Sequence, residues 1–483
     1  MASPETEERP PSSFFSSVSS ASSSDSEVEK QDEASILPPV SRKKQAIVLL
    51  AAFSTIALTI GYNQTYGVFQ EYYLMSQQDV LSPSPSSMAD PPTSLVSFVG
   101  TLCYGLTWAG GLAVSPLLLR IEAGSLKEYD GRISKYYRYI THRTITISGI
   151  ILIAIGFLLA SAAHKIWHLV LTQGLLAGIG MSLLYFPILS PAPEYFTAHR
   201  ATAMGVILAG GGTGGLVFSP VIRALLSKVG GRWTLKILAI LYLVIGLPTA
   251  WSVPRSRYAQ VAGMANKKKK GLHLSRELAL KPIFIFSILA GFLQSGGTQL
   301  PLAFIPSYTV VLGHSASMGS TILAAANAVN AVSRVFTGMA GDKLGRQNLL
   351  IICLLLSAVS VFALWLASMV MTVATSAWAT FVVFTIIYSI TAGGYFALFP
   401  ALITEVFGME NYGAVNAAVL FSRGLGTIFG TPIGGTLLGP AMLSKMAYIN
   451  VAGWDGALLM GATICCIGIR IAEVKTKGFK WIA

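Results

Sequence analysis

Charge is what this chain lacks most. Asp, Glu, Lys and Arg make up only 11% of its 483 residues, against roughly 25% in soluble domains. Hydrophobic residues make up 53%, gathered in repeated runs of about 20 residues, long enough to cross a bilayer. That pattern excludes a soluble enzyme. Cysteine is also scarce. Cys103, Cys353, Cys465 and Cys466 lie inside apolar runs without ligand spacing, so neither a disulfide framework nor a zinc site is expected. The histidines (His142, His164, His168, His199, His273 and His314) are scattered, with no HExxH pattern and no nucleophile and base order. The glycines at 210, 211, 212, 214 and 215 lack the preceding strand and Walker-type lysine of a phosphate cradle. They read as close helix packing. The chain reads as a non-enzyme that needs no cofactor and no metal.

What is present is strongly ordered along the chain. Residues 1–40 hold twelve serines and eight acids, a composition that cannot bury enough apolar surface to offset its ordering entropy. A disordered cytoplasmic tail is expected over 1–44. It lacks the basic start and apolar core of a signal peptide. Apolar runs then fall at 45–68, 94–119, 144–163, 166–189, 201–225, 235–252, 283–305, 318–340, 349–368, 377–403, 412–437 and 455–471, which predicts twelve transmembrane helices. The expected organisation is a six-helix bundle at 45–252, a basic cytoplasmic linker at 253–281, a second bundle at 282–471 and a cytoplasmic tail at 472–483.

Lys and Arg set the orientation. With the N-terminus inside, 24 of them fall on the cytoplasmic side and five on the other, so both termini and the linker are expected in the cytoplasm. Lys267 to Lys270 follow the same rule, with attraction to anionic lipid as an addition; nucleic-acid binding is not indicated. A shift of about 212 residues places Gly212, Gly214 and Pro220 on Gly424, Gly426 and Pro432, and brings Gly180 and Pro187 close to Gly393 and Pro400. A shift of six helices keeps the membrane orientation, which makes the halves parallel repeats.

After the eighth run the sequence reads Gly338-Met-Ala-Gly-Asp342-Lys343-Leu-Gly345-Arg346. With two parallel six-helix halves and a basic central loop, it resembles the major facilitator superfamily, whose G-x-x-x-D-x-x-G-R loop it matches. The resemblance implies an all-α membrane fold of twelve helices and a cytoplasmic charge latch involving Asp342, Arg346 and Arg200. In the first half Ser115 stands where the acid is expected. Gly67-Val-Phe-Gln-Glu-Tyr-Tyr73, Gln173-Gly-Leu-Leu-Ala-Gly-Ile-Gly180, Tyr195-Phe196-x-x-His199-Arg200, Ser333-Arg334 and Gly430-Thr-Pro432-Ile-Gly434-Gly435 resemble the monocarboxylate transporter group, especially its fungal members. The tryptophan- and glycine-rich stretch that precedes helix 1 in that group is missing.

An ionisable residue at membrane depth is expensive and marks a functional site. Arg334 is the clearest, with Asn330 four residues and Asn327 seven residues before it, on one helical face. A guanidinium takes a carboxylate through two parallel hydrogen bonds, and the resemblance implies that role for Arg334. Where proton-coupled members carry an aspartate and a lysine, this chain has Asn330 and Gln64, amides that cannot titrate. Proton coupling therefore stays open, with Glu71, Glu194 and Glu405 as other carboxylates. Arg423 offers a second anion contact, and Arg223 is expected to snorkel outward. Tyr66, Tyr185, Gln299 and Tyr395, with Asn63, Gln294, Tyr388 and Phe399, complete the polar and aromatic set on helices expected to face a cavity.

The sequence therefore predicts a secondary transporter that moves a small organic anion, a mono- or dicarboxylate, by alternating access. The alternatives are an efflux carrier for a fungal secondary metabolite and an importer of a vitamin-like solute. A monomer or weak oligomer in the plasma membrane is expected, with the vacuolar membrane next.

Overall fold

In a computed structural model, the chain is described over residues 40–75, 78–81, 92–125, 141–196, 200–252, 257, 275–439 and 444–477. Among these there is no strand. Inside a bilayer, helices satisfy every backbone N–H and C=O from within the segment, and the apolar runs become helices accordingly. The first four are α1 (Arg42–Tyr73), α2 (Thr93–Leu118), α3 (His142–Ser161) and α4 (Ile166–Leu189). Helix then runs over Arg200–Trp251 except at Gly230, φ 79° and ψ 174°, a conformation that glycine takes without strain. It divides into α5 (200–229) and α6 (231–251). After the linker come α7 (Pro282–Val311), α8 (Ala316–Leu344) and α9 (Arg346–Val370). Ala374–Leu438 breaks in the same way at Gly408, φ 74°, into α10 (374–407) and α11 (409–438), and α12 spans Tyr448–Lys477. The twelve expected helices are present. Residues 1–39, most of the linker and the loop over 126–140 lie outside the described residues.

Local chemistry fixes several helix starts. Thr141 and Thr144 form a reciprocal capping box at α3, and Ser315 accepts the Met318 N–H at 3.2 Å at the start of α8. Such caps satisfy orphan donors of the first turn, each contributing about 1 kcal/mol. Nine stretches among the described residues are long and apolar enough to cross a membrane. Helices α8 and α11 are not among them, because Asn327, Asn330 and Arg334 in one and Arg423, Thr427 and Thr431 in the other lower their hydropathy. The two helices that meet the apolar solvent least well carry the buried cations Arg334 and Arg423.

Met1–Gln45 and Ala46–Ala483 are separate units. In the first, the described part is a helix start in which Gln45 N–H donates to Ser41 O at 3.1 Å. In the second, the two six-helix halves meet through close backbone contacts. A Cβ on Gly424 of α11 would stand 2.5 Å from Gly105 O of α2, and one on Gly212 of α5 would stand 2.5 Å from Asn327 O of α8. The repeat is physical. Gly212 and Gly424, the repeat mates, both face across to the other half. Gly214 faces Ala57 O of α1 at 2.6 Å, and Gly426 faces Phe292 O of α7, each within its own half. Near the end of α1, Gly67 packs against Leu302 O and Ala303 O of α7, and Gly435 packs against Ser94 of α2. These last contacts join the two halves near the end of α1 and the start of α2.

Candidate functional site

Arg334 sits on α8 facing the first half. Its Nε donates to Asn330 Oδ1 at 3.0 Å, one turn earlier on the same helix. Nη1 reaches across to Leu208 O on α5 at 2.9 Å. With its amide oriented so that donor meets acceptor, Gln64 of α1 accepts from Arg334 Nη2 at 3.1 Å and donates to Gly211 O at 3.1 Å. All three partners are neutral. They use three of the five guanidinium donors and cancel none of its charge. A buried ion with no counter-ion costs several kcal/mol, so the site is poised for an anion.

Arg423 of α11 is buried beside it. Its guanidinium lies 5.0 Å from the ring centre of Trp108 on α2, 5.2 Å from Tyr395 and 4.9 Å from Phe396, both on α10. Arg334 stands 4.7 Å from the same Phe396 ring. Each such contact stabilises a desolvated cation by about 0.5–2 kcal/mol, enough to hold the side chain but too little to replace a counter-ion. Arg423 Nε has no hydrogen-bond partner, and among the described residues neither arginine has a carboxylate partner. Tyr104 of α2 is within Coulombic range of both. Six helices, three from each half, thus converge on two unneutralised cations that share one aromatic wall.

The other expected residues divide. Tyr395 belongs here, stacked on Phe399 at 4.8 Å between ring centres, and Tyr185 of α4 packs edge-on against Trp108 at 5.5 Å. Gln64, Tyr66 and Gln299 line a narrow cavity beside the Gly67 contact of α1 with α7, with Tyr104 and Thr431 also on its wall. Tyr66 contributes its ring there, while its hydroxyl donates to Val96 O at 2.7 Å. Asn327 is fully buried against Gly215 of α5; it packs the α5–α8 seam and makes no hydrogen bond to Arg334.

Arg223 corrects the expectation of an outward-snorkelling cation. It is buried in α5 and donates through Nη2 to Glu71 of α1, a pair that binds two helices of the first half. Glu194 accepts the Arg257 N–H at 2.7 Å. Of the expected latch, the Asp342 and Arg200 side chains lie outside the described residues; Arg346 opens α9 after Gly345, φ 91°. Two groups at the cation site escaped the sequence reading: Trp108 and Phe396 look like ordinary membrane aromatics, and no periodicity tells which ring meets a cation. Asp455 of α12 was also missed. It is a lone acid between Trp454 and Gly456 at the edge of an apolar run, and it is fully buried.

A bundle of two pseudo-repeated halves around a buried charged site is the architecture of a secondary carrier, and the chain belongs to the Major Facilitator Superfamily, whose profile matches residues 131–431 and 322–475. It is a multi-pass membrane transporter and not an enzyme. It is 26% identical over 431 residues to MFS transporter asaE of Aspergillus flavus, covering 89% of this chain and 88% of that one. It is 25% identical to the aspyridones efflux protein apdF of Emericella nidulans, covering 89% and 79%. The fold is similar to that of the xylose transporter XylE from E. coli in a partially occluded inward-open conformation, with a TM-score of 0.60 at 16% identity over 86% of this chain and 97% of that one.

Proposed function

We propose that this carrier exports an acidic metabolite with a planar, aromatic body. The observation that supports this most is the pair of buried, unneutralised guanidiniums, Arg334 and Arg423, at 4.7 and 4.9 Å from the Phe396 ring centre. The acid group supplies the missing counter-charge and takes the free donors of Arg334. The rings of Trp108, Tyr395 and Phe396 take the planar body by stacking. A relative named as an aspyridones efflux protein favours export over uptake of a nutrient.

In this reading the halves rock around the arginines, and both termini and the 253–281 linker lie in the cytoplasm. The close α1–α7 and α2–α11 contacts then correspond to an outward-closed state. The α8–α9 junction from Gly338 to Arg346 acts as the cytoplasmic latch, in the plasma membrane or, second, the vacuolar membrane. A second reading, a carrier of small aliphatic mono- or dicarboxylates like the monocarboxylate transporter group, is supported by the contact of Arg334 with Gln64 and Asn330.

The test is ligand binding to purified protein by calorimetry with phthalate, benzoate, benzamide and succinate. The two aromatic acids should bind, phthalate more tightly, and the neutral benzamide should not. Arg334→Gln should lose about tenfold to a hundredfold in phthalate affinity, the value of one or two charge-assisted hydrogen bonds. Equal binding of benzamide and benzoate would remove the anion reading, and succinate binding more tightly than phthalate would favour the aliphatic one.

A further inference from the structure

Asp455 lies about two turns into α12, fully buried, with neither carboxylate oxygen hydrogen-bonded. Among the described residues no Lys, Arg or His forms a salt bridge with it. Glu71, another buried acid, differs because Arg223 neutralises it. The surroundings of Asp455 are polar yet unsatisfied. Tyr388 of α10 is also buried, and its hydroxyl makes no hydrogen bond to Asp455. On α7, Gln294 Nε2 donates to Thr298 Oγ1 at 2.6 Å while Gln294 Oε1 is orphaned. Among the described residues the remaining contacts beside it are uncharged: Gly297 of α7, where a Cβ would stand 3.0 Å from Asp455 Oδ1, and Phe362 of α9, which packs on Gly456.

An ionised carboxylate held at this depth without a cation or donors costs many kcal/mol, whereas the neutral acid costs far less and brings an O–H donor. Asp455 is also placed to sense the transport path. It lies against Gly297 on one side of α7, while Gln299, two residues on and so on the opposite side of that helix, lines the cavity. Immediately beside it, Gly296 and Gly430 bring α7 and α11 into backbone contact, and Trp454 Nε1 donates to Gly430 O at 3.1 Å.

We propose that Asp455 is a protonation site that couples proton movement to the transport cycle. A proton from water on one membrane face adds to a carboxylate oxygen when α7 moves away from α12. The neutral acid is carried through the closed state, and the proton returns to water on the other face, restoring the carboxylate. The coupling role rests on the carrier reading above; protonation of Asp455 does not.

Two measurements separate them. Infrared difference spectra of purified wild type and Asp455→Asn at neutral pH should show the carbonyl stretch of a protonated carboxylic acid in the wild type that the variant lacks. A band of equal strength in both, or in neither, overturns protonation. In proteoliposomes, a pH gradient should stimulate labelled phthalate transport by wild type and Asp455→Glu. Asp455→Asn should lose that stimulation and keep phthalate counterflow. Full stimulation in Asp455→Asn overturns the coupling. Should Asp455→Asn fail to fold, Asp455→Ser replaces it in both arms. A wild type that moves no phthalate counts against the aromatic-acid reading, and the infrared arm still decides on Asp455.

Discussion

Arg334 and Asn330 stand one turn apart on α8, joined by a 3.0 Å hydrogen bond from guanidinium Nε to amide oxygen. The amide orients the cation without neutralising it. A carboxylate at the same place would hold Arg334 equally well and would compete with any anion for its charge.

Asn330→Asp should therefore turn a permanently open anion site into a pH-gated one. While the new acid is ionised, phthalate affinity should fall at least about tenfold relative to wild type at the same pH, a cost of about 1.4 kcal/mol. As pH falls and the acid protonates, the deficit should shrink. Titration calorimetry at two pH values measures it; an unchanged ratio of variant to wild-type affinity would mean that Arg334 does not carry the anion.

Phe396 makes the second prediction because both cations lean on its ring, at 4.7 and 4.9 Å. Phe396→Ala removes those contacts and part of the wall for a planar ligand, a loss of about 1 kcal/mol. The preference for phthalate over succinate should narrow by about fivefold. An equal loss for the two acids would assign the ring to arginine positioning alone.

The Glu71–Arg223 pair gives a stability prediction. Glu71→Gln leaves Arg223 buried and charged between α1 and α5, which costs about 3 kcal/mol or more. The double variant Glu71→Gln with Arg223→Met removes the orphaned charge and should recover much of that loss. Thermal melting in detergent compares them; a double variant that melts lower than the single one would show that the pair serves more than charge balance.

How far these features were legible depended on the kind of signal each residue gives. Twelve helices, the repeat of Gly212 and Gly424, and Arg334 were readable because apolar length, small residues at helix seams and a charge at depth each carry their cost in the sequence itself. Arg423 was readable as a cation but not as the neighbour of Phe396, since only the assembled α2, α10 and α11 show which rings surround it. Arg223 was misread because its partner, Glu71, lies 152 positions away. Asp455 was overlooked because an acid near a helix end usually faces water, and only the packing of α7 and α10 around α12 shows that this one does not.

The last prediction concerns the turn that closes one face of the first half. Asp79, in the connection after α1, accepts the Tyr72 hydroxyl at 2.7 Å, the Gly231 N–H at 2.7 Å and the Arg232 N–H at 3.4 Å. Arg232 in turn donates from Nε to Asp79 O at 2.8 Å. Partial desolvation pushes the Asp79 carboxyl up, but the donors from Tyr72, Gly231 and Arg232 outweigh it, so its pKa is held below the ordinary aspartate value. A carboxyl depressed by folding stabilises the fold above its unfolded pKa of about 4, and that contribution is lost as pH falls through the lower folded value. Asp79→Asn should therefore melt below wild type near neutral pH, and the gap should close under acid conditions. The discount for a partly solvated site keeps the expected difference to about 1 kcal/mol. Melting curves of the two proteins across pH measure it, and a gap that stays constant down to strong acid would show that the turn is held by Arg232 and the backbone, with no contribution from the charge.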